Sequence, residues 1–415
     1  MLSDYFRSLQ TLDQLHNGPV GPFIDGFAAE LEASGFSRIT IRAHIGVSAH
    51  LCHWARARNI SISDLDDLIA ARFIKHLPSC RCRPRQGKYI NSAGASARIF
   101  RAYLCRIGVT APSLHKESET AETALVNAFC DWMKQNRGVM NATLNWYRPI
   151  IISLLKSIGG NPSRIDSHTL RAFVLGYAES HQLKSLSGIT TALRAFLRYL
   201  TAEGRCATGL ESALPAVAAW RLSSLPRYLP PSDVERVIAV CDPATPSGLR
   251  NRAIILLLAR LGLRGDDVVH LRICDIDWQK ANLRLSGKGR REVLLPLTQE
   301  VGDAIFVYLT RGRPAVNSDY VFIRSIAPLR PFSHTGLVTK VVKRAMQRAG
   351  VVANFSGAHV LRHSAATQML RQGISLQDIS AILRHRSIET TVQYAKVDID
   401  LLRLVAQPWP EVTLC

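Results

Sequence analysis

The residues from 356 to 394 contain the pattern that most constrains how this chain folds. Leu361, Ala365 and Met369 recur every four residues, a spacing that places apolar side chains along one face of a helix. Gly373 follows the last of them and predicts the end of that helix. The pattern therefore predicts a helix that buries one face against a core.

Two further short helices are predicted after the first. Ser375 and Asp378 form a capping box, in which each side chain satisfies a backbone amide at the start of the second helix. A third helix begins near Ser387 and presents Tyr394, while Ser356 is the predicted cap of the first helix. The polar residues of this stretch are thus distributed over three successive helices.

Four polar side chains in the stretch form an inventory for phosphoryl chemistry. His359 and Arg362 stand three residues apart and are predicted to lie on the same side of the first helix, away from its apolar face. His385 follows the second helix, and Tyr394 lies in the third. A guanidinium binds two phosphate oxygens at once, an imidazole donates or exchanges protons, and a tyrosine hydroxyl can act as a covalent nucleophile.

Each of these residues also has a structural interpretation. A single His-x-x-Arg pair is more often a solvated helix face than a site, and a single tyrosine usually packs in a core. His359 and His363 have the four-residue spacing of a metal pair, but the Glu of an HExxH motif and an evident third ligand are missing. The combination of spaced residues favours the catalytic interpretation.

The order His-x-x-Arg, then Leu-x-His, then Tyr resembles the C-terminal signature of the tyrosine recombinases, the phage integrase family. The resemblance implies a chain that is mainly α with a small β-sheet, in which helical N-terminal DNA-binding domains precede a mixed α+β catalytic domain. It also implies six catalytic residues, two of them upstream of the stretch: Arg264, Lys288, His359, Arg362, His385 and Tyr394.

Arg264 follows an apolar helix and matches the first phosphate-binding arginine of the family. The family has an acidic residue three positions later, more often Glu, and this chain has Asp267 there. We expect Asp267 to orient Arg264 by a charge-assisted hydrogen bond. The alternative for Arg264 is a helix-terminal arginine that neutralises backbone carbonyls.

A β-hairpin is predicted next, with strands at 282–286 and 292–295 and a glycine-containing turn between them. Lys288 in this turn matches the family lysine that reaches into the minor groove and protonates the leaving 5′ oxygen. Taken alone, a lysine in a glycine turn is ordinary surface. Arg290 and Arg291 are predicted to grip backbone phosphates.

One position beside the second histidine departs from the family pattern. The family usually has Gly before this histidine, whereas this chain reads Leu383-Arg384-His385. We expect the bulky Arg384 either to alter the turn that places His385 or to add a DNA contact, and reduced activity is one outcome of the change.

The reaction implied by the resemblance is DNA strand exchange by transesterification. Tyr394 attacks a phosphodiester and forms a 3′-phosphotyrosine, while Arg264 and Arg362 hold the non-bridging oxygens. His359 assists proton transfer from the tyrosine, and His385 donates to the phosphate. The bond energy is kept in the protein linkage, so the resemblance implies no cofactor, neither ATP nor a metal.

Double-stranded DNA is the implied partner. The family works as a homo-tetramer on two duplexes, with or without related recombinases beside it, and its C-terminal tail docks into a neighbour. The apolar residues at 401–409 suit such a tail, and packing on the chain's own domain is the equal alternative.

The charge of the chain favours a nucleic-acid partner. It has 52 Lys and Arg against 32 Asp and Glu, a formal net charge of +20, so we expect a polyanion, with nucleic acid before an acidic membrane. No signal peptide and no membrane-spanning run are predicted. The protein is expected in the cytoplasm, at the nucleoid when it acts, without a membrane partner.

The nine cysteines are scattered through helical patterns, which predicts reduced thiols and not a disulfide framework. Cys80 and Cys82, with His76 nearby, hint at zinc, but a Cys-x-Cys without a second pair is a weak signal. We interpret them as part of a basic loop, and no metal site is predicted.

Five segments are predicted along the chain. They are a helical domain at 1–115, a SAM-like core-binding helical domain at 116–205, a linker at 206–231, the catalytic domain at 232–396 and a tail at 397–415. Residues 98–104 and 194–200 share the pattern R-x-F-x-x-Y-L, so the first domain is expected to duplicate the second. Ser232 and Glu235 are a predicted capping box at the start of the catalytic domain.

The candidates for phosphate contact in the core-binding domain are Arg148, Lys156, Lys184, Arg194 and Arg198. The alternative for each of them is a solvated helix face. The first domain is interpreted as a second DNA-binding arm or as a protein-interaction domain.

Other functions remain open beside a mobile-element integrase or transposase. A catalytically idle DNA-binding regulator of the same fold is opposed by the presence of all six catalytic residues. A chromosome-dimer resolvase resembles the two-domain core alone, so the additional N-terminal domain favours the mobile-element enzyme. A type IB topoisomerase shares the chemistry.

Overall fold

Helices form most of the chain, with one small sheet, as the sequence predicts. The computed structural model describes residues 2–80, 82, 90–111, 120–180, 183–215, 226–286, 292–353, 355, 357–385 and 387–397. The chain divides into two units, Met1–Pro112 together with Ser224–Cys415, and Ser113–Ser223. Among the described residues, no helix has both the length and the apolar character that a membrane span requires.

The N-terminal part of the first unit is a helical bundle with its own core. Its helices are α1 (Leu9–His16), α2 (Gly21–Ala33), α3 (Arg38–Arg56), α4 (Asp67–His76) and α5 (Ile90–Arg106). The hydroxyl of Ser37 accepts the Thr40 amide and starts α3, and the carboxylate of Asp66 accepts the Ile69 amide and starts α4. Phe73 is fully buried in the core of this bundle.

The described residues of the second unit, 120–180 and 183–215, form a bundle of four helices. Its helices are α6 (Ala121–Arg137), α7 (Asn141–Ser157), α8 (Ser167–Ser180) and α9 (Leu183–Ala202). Thr120 caps α6 through the Thr123 amide, and Gly138, at φ +58°, ends it in the left-handed conformation that glycine adopts at low cost. One apolar core runs through the unit.

The two bundles repeat the same local arrangement. In the first bundle α2 and α3 are followed by a 3₁₀ turn and then by α4 and α5, with a further 3₁₀ turn before α5; in the second, α6 and α7 are followed by a 3₁₀ turn and then by α8 and α9. Three aromatic rings join α2 to α5, and three join α6 to α9. The two ring sets are Phe27, Phe100 and Tyr103, and Phe129, Phe196 and Tyr199. The two phenylalanine rings meet edge to face at 5.0 Å in the first set and 5.4 Å in the second. The shared R-x-F-x-x-Y-L pattern supplies the last two rings of each set.

The C-terminal part of the first unit is built around one buried helix. Its elements are α10 (Pro231–Ala239), α11 (Pro246–Ala259), α12 (Gly265–His270), β1 (Ile276–Asp277), β2 (Asn282–Ser286), β3 (Glu292–Pro296), α13 (Gln299–Val307), α14 (Thr335–Arg348), α15 (Ala358–Arg371), α16 (Leu376–Ile382) and α17 (Glu389–Val392). Residues 253–258 of α11 are completely buried, as expected of a helix that is apolar on every side.

The sheet is antiparallel in the order β1-β2-β3. Leu283 pairs with Leu295, and Leu285 pairs with Val293, so one face of the hairpin enters the core. The predicted strands are confirmed. The turn that carries Lys288, Arg290 and Arg291 lies outside the described residues.

Two of the predicted helix starts can be compared with the structure. Helix α10 begins at Pro231 without a side-chain cap, so the predicted capping box at Ser232 is wrong. Proline at the first helical position already has the helical φ and lacks the amide that a cap would satisfy. Ser375 accepts the Asp378 amide at 3.1 Å, which confirms the predicted cap of α16. Ser356 lies outside the described residues, and α15 follows Gly357.

Candidate functional site

Arg264 lies at the junction between α11 and α12, immediately before the first residue of α12. Its Nη2 donates to the carbonyl oxygen of Arg384 at 2.7 Å, and its backbone amide donates to Oδ2 of Asp267 at 2.8 Å. The start of α12 therefore fixes the main chain of Arg264, while the turn after α16 receives its guanidinium.

Arg362 lies on α15 and is 5% exposed. Its Nη1 donates to the carbonyl of Gly262, and its Nη2 donates to the carbonyl of Leu383. The prediction that Arg362 points away from the apolar face is wrong, since its side chain is buried. The two carbonyls make this burial possible, because they offset the free-energy cost of removing the charge from water. His359, on the same helix, is exposed.

The two guanidiniums are held by consecutive carbonyls. Leu383 receives Arg362, and Arg384 receives Arg264, so the two positive charges lie side by side. Burial, together with the charge of Arg264, lowers the pKa of Arg362 to about 10. Arg362 therefore remains protonated at neutral pH, and the pair forms a positive site that suits a phosphate.

Arg384 forms the turn that holds both arginines. Its φ of +54° is left-handed, a conformation that glycine adopts at lower cost. Its side chain is 7% exposed and pairs with the carboxylate of Asp267, which is 10% exposed. The side chain thus points inward, and the expected DNA contact is not what this structure shows.

Asp267 supports Arg264 by a route other than the one predicted. The prediction was a bond to the guanidinium, whereas the carboxylate contacts observed run to the Arg264 amide and to Arg384. The physical reason is local, since a side chain at the third helical position can reach back to the amide that precedes the helix.

Tyr394 lies in the 3₁₀ turn Gln393–Val397, after α17, and is 1% exposed. Its hydroxyl lies 2.8 Å from Nδ1 of His363, and its ring stacks on His385 with centroids 6.4 Å apart. Burial raises the pKa of Tyr394, and the charge of Arg362 opposes that rise. The phenol is therefore held as a neutral hydroxyl beside Arg362.

His363 is the residue that sequence reasoning missed. We considered it only as a partner of His359 in a metal pair, whereas its Nδ1 contacts the phenol of Tyr394. The four-residue spacing from His359 was the available signal, because it places both rings on one face of α15. The packing of the 3₁₀ turn after α17 places the Tyr394 hydroxyl against this face, and the spacing along α15 does not show that.

Three histidines of the site carry lowered pKa values. Loss of water around its ring among neighbouring side chains, with the charges of Arg362 and Arg264, lowers the pKa of the surface residue His359. Burial, with the same two charges, lowers the pKa of His385 to about 4. Burial, with His359 and Arg362, lowers the pKa of His363 to about 4. The rings of His363 and His385 are thus neutral at pH 7. Nδ1 of His385 lies 2.7 Å from the hydroxyl of Thr391.

Five of the six residues predicted to be catalytic are brought together in one place. They are Arg264, His359, Arg362, His385 and Tyr394. Lys288 lies outside the described residues. Two positive guanidiniums, neutral imidazoles and a phenol can bind a phosphate and attack it.

The arginines predicted to contact DNA in the second unit bond within that unit. Arg148 donates to Asn127 at 2.7 Å, and Arg198 donates to Glu211 at 2.7 Å. Arg194 donates to the carbonyls of Leu214 and Pro215, at 3.1 and 3.2 Å. The side chain of Lys184 lies outside the described residues, as do those of Arg290 and Arg291.

A second cluster lies in the N-terminal bundle. Cys80 and Cys82, which we interpreted as part of a basic loop, lie against two histidines. Sγ of Cys80 is 3.3 Å from Nε2 of His50, and Sγ of Cys82 is 3.4 Å from Nε2 of His76. The interpretation was incomplete because His50 is on a different helix, α3, so spacing along the chain could not reveal it.

The chain is similar to known recombinases in sequence. The profile of the phage integrase family matches residues 227–400. The putative integrase/recombinase y4rA of Sinorhizobium fredii is 36% identical over 400 residues, which cover 95% of each chain. The tyrosine recombinase XerD of Xanthomonas axonopodis is 29% identical over 291 residues, which cover 67% of this chain and 94% of XerD.

Solved structures share the fold. The XerH site-specific recombinase bound to a palindromic difH substrate, in a post-cleavage complex, matches with a TM-score of 0.56 and 20% identity, covering 82% of this chain and 95% of that one. A lambda integrase dimer bound to a COC′ core site matches with a TM-score of 0.51 and 19% identity, covering 70% of this chain and 99% of the integrase chain.

Proposed function

Since this chain belongs to the phage integrase family of tyrosine recombinases, we propose that it cuts and rejoins double-stranded DNA at specific sites through a 3′-phosphotyrosine intermediate. The observation that carries the proposal is the pair of guanidiniums held on the consecutive carbonyls of Leu383 and Arg384, beside the buried phenol of Tyr394. The two guanidiniums of such a site would bind a phosphate beside the phenol, which would serve as the nucleophile.

Arg264 and Arg362 bind the non-bridging oxygens of the scissile phosphate. Each guanidinium presents its donors in a planar fork that matches the oxygens of a phosphate, and the bonds to backbone carbonyls hold that fork in place. The charge of the pentavalent transition state exceeds that of the substrate, and fixed positive donors stabilise it. His385 and His359 lie beside this charge and donate to the phosphate or relay protons.

Tyr394 is the nucleophile. Its Oη attacks phosphorus, the bond from phosphorus to the 5′ oxygen breaks, and the phenolic proton passes to a histidine, with His363 in hydrogen-bonding position. Lys288 donates a proton to the leaving 5′ oxygen, which departs as a hydroxyl. A 5′ hydroxyl of the partner strand then attacks the phosphotyrosine, which restores Tyr394. The number of phosphodiester bonds is conserved, so the exchange needs no ATP.

The biological role proposed is that of a mobile-element integrase or transposase, assembled as a homo-tetramer on two DNA duplexes at the nucleoid. The N-terminal bundle supports this role over a two-domain resolvase, since its ring set and element order repeat those of the second unit. We infer that the two bundles are duplicates and that both face DNA, in keeping with the net charge of +20. The tail at 401–409, proposed to dock into a neighbour, lies outside the described residues.

A nicked suicide substrate tests the proposal. DNA junctions mapped after expression in cells supply the target sequence. A nick beside the cleavage point lets the short fragment that carries the free 5′ hydroxyl diffuse away, so the covalent product accumulates. The control is Tyr228→Phe, at a half-buried tyrosine whose hydroxyl accepts from Nη2 of Arg371 at 3.0 Å. We expect a protein–DNA adduct with the wild type and with this control, and none with Tyr394→Phe. Binding without any adduct in the wild type would instead indicate an idle DNA-binding protein.

A further inference from the structure

Four side chains in the N-terminal bundle converge outside the site described above. His50 comes from α3, His76 ends α4, and Cys80 and Cys82 follow the 3₁₀ turn Leu77–Ser79. Each offers one ligand atom, and the four atoms all lie within 4.8 Å of one another. All four residues are half-buried. We call them the His₂Cys₂ cluster.

The separations within the cluster fit a tetrahedral metal site. Zinc binds sulfur at about 2.3 Å and imidazole nitrogen at about 2.0–2.1 Å, so a sulfur and a nitrogen on one tetrahedral ion lie roughly 3.6 Å apart. The two sulfur–nitrogen contacts observed are 3.3 and 3.4 Å. Both are close to the separation that one shared ion requires, and the other ligand atoms lie within 4.8 Å of one another.

The surroundings of the cluster hold its ligands in place. The ring of Phe73 packs edge-on against His50 at 5.1 Å, and Trp54 lies 5.9 Å from His76. The backbone amide of Cys82 donates to Sγ of Cys80 at 3.3 Å, a contact that stabilises a thiolate. Two thiols and two imidazoles offer each other only weak hydrogen bonds, whereas together they form a complete ligand set for a soft divalent cation.

We propose that the His₂Cys₂ cluster binds one Zn²⁺ ion as a structural site. Two nitrogen and two sulfur ligands in tetrahedral order are a combination that zinc prefers, and all four positions are filled by protein, which leaves no open position for chemistry. The ion fixes the turn Leu77–Ser79 and the cysteines to α3 and α4. Since Arg81, Arg83, Arg85 and Lys88 lie between and after these cysteines in the sequence, zinc anchors the start of a basic stretch.

Metal analysis of the full-length, tag-free protein, purified with reducing agent, tests the proposal. We expect one zinc per chain by inductively coupled plasma mass spectrometry, and loss of that zinc in His50→Asn and Cys80→Ser. The matched controls are His53→Asn, an exposed histidine on the same helix, and Cys105→Ser, a half-buried cysteine of the same bundle. Both controls should keep the full zinc content.

Cobalt substitution of the wild type gives a readout that does not depend on how well the variants fold. Tetrahedral Co²⁺ with two thiolates shows intense visible d–d bands and a sulfur-to-cobalt charge-transfer band, which zinc should then displace. A wild-type chain with neither bound zinc nor these bands after reconstitution would overturn the proposal. So would zinc that persists unchanged in folded His50→Asn and Cys80→Ser, because the ion would then lie elsewhere.

Discussion

Arg362 contributes at the residue scale both to the fold and to the proposed chemistry. Its guanidinium joins the carbonyl of Gly262, before α12, to that of Leu383, after α16. A buried charge is tolerated here because hydrogen-bond acceptors replace its water. The same contacts fix the position of the guanidinium that we propose binds the phosphate.

Arg362→Lys should slow formation of the covalent adduct by about 100-fold or more, since loss of one transition-state donor commonly has this effect. A lysine ammonium cannot hold two carbonyls and a phosphate oxygen in one plane. Single-turnover adduct formation on the nicked substrate measures the rate. Arg371→Lys, on the exposed end of the same helix, is the control and should react at the wild-type rate. An unchanged rate in Arg362→Lys would contradict its proposed role.

Acid should destabilise the folded protein between about pH 6.5 and 4. Burial and neighbouring positive charges lower the pKa of His363 and of His385 to about 4, from an ordinary value of 6.5. The unfolded chain therefore takes up these protons first, so the stabilising contribution is complete above pH 6.5 and is lost as the pH falls toward 4. Urea midpoints across this range should fall on acidification, and less steeply for His363→Gln than for the exposed control His53→Gln. Equal slopes of the urea midpoint against pH for the two variants would contradict a neutral, half-buried His363.

At the scale of elements, the start of α12 and the turn after α16 are joined by an ion pair. This pair, Asp267 and Arg384, occupies the two positions at which the chain departs from the family pattern of Glu and Gly. The two departures touch each other, and we expect each to compensate for the other. Their separation of 117 residues explains why the sequence showed two separate deviations and not one exchange.

Arg384→Gly should lower the free energy of unfolding by ~1–4 kcal/mol. Glycine adopts the left-handed backbone without strain, which stabilises the folded state by ~1–2 kcal/mol. Removal of one member of a buried ion pair destabilises the folded state by ~3–5 kcal/mol. We expect the double variant Asp267→Glu/Arg384→Gly to lose less stability than the sum of the two single variants. Urea unfolding of the four proteins measures this coupling, and strictly additive losses would rule out compensation.

Gly262 tests the junction between α11 and α12. Its φ is +60°, and an added Cβ would lie 2.5 Å from Cδ2 of the buried Leu383. Gly262→Ala should therefore destabilise the protein by more than the ~1–2 kcal/mol of backbone strain alone, and should slow adduct formation by displacing carbonyls that hold Arg362. Gly373→Ala is the matched control, at φ +82° with open space around it, and should show the strain without the kinetic loss. Equal effects of the two variants would show that the contact with Leu383 is unimportant.

At the scale of the whole molecule, periodic and local features were the ones that the sequence could predict. The apolar face of α15, the cap of α16 and the hairpin strands follow from spacing within a few residues, and the structure has them. The predicted fold class, mainly helical with a small sheet, is also confirmed by the recombinase structures that share the fold.

Contacts between segments that are distant along the chain could not be predicted from the sequence. The bond from His363 to Tyr394, the inward turn of Arg384 and the meeting of His50 with the two cysteines all depend on how helices pack. The spacing of residues along one helix shows which side chains share a face. It does not show which other element covers that face, so the chemical partners remained undetermined until the tertiary structure placed them.

Peptide mapping of the covalent adduct tests most directly whether Tyr394 attacks a phosphate held by Arg264 and Arg362. The adduct from the nicked substrate is digested with nuclease and trypsin, and tandem mass spectrometry locates the tyrosine that retains the nucleotide. We expect a nucleotide joined through its 3′ phosphate to Tyr394. A nucleotide on any other residue, or attachment through a 5′ phosphate, would contradict it.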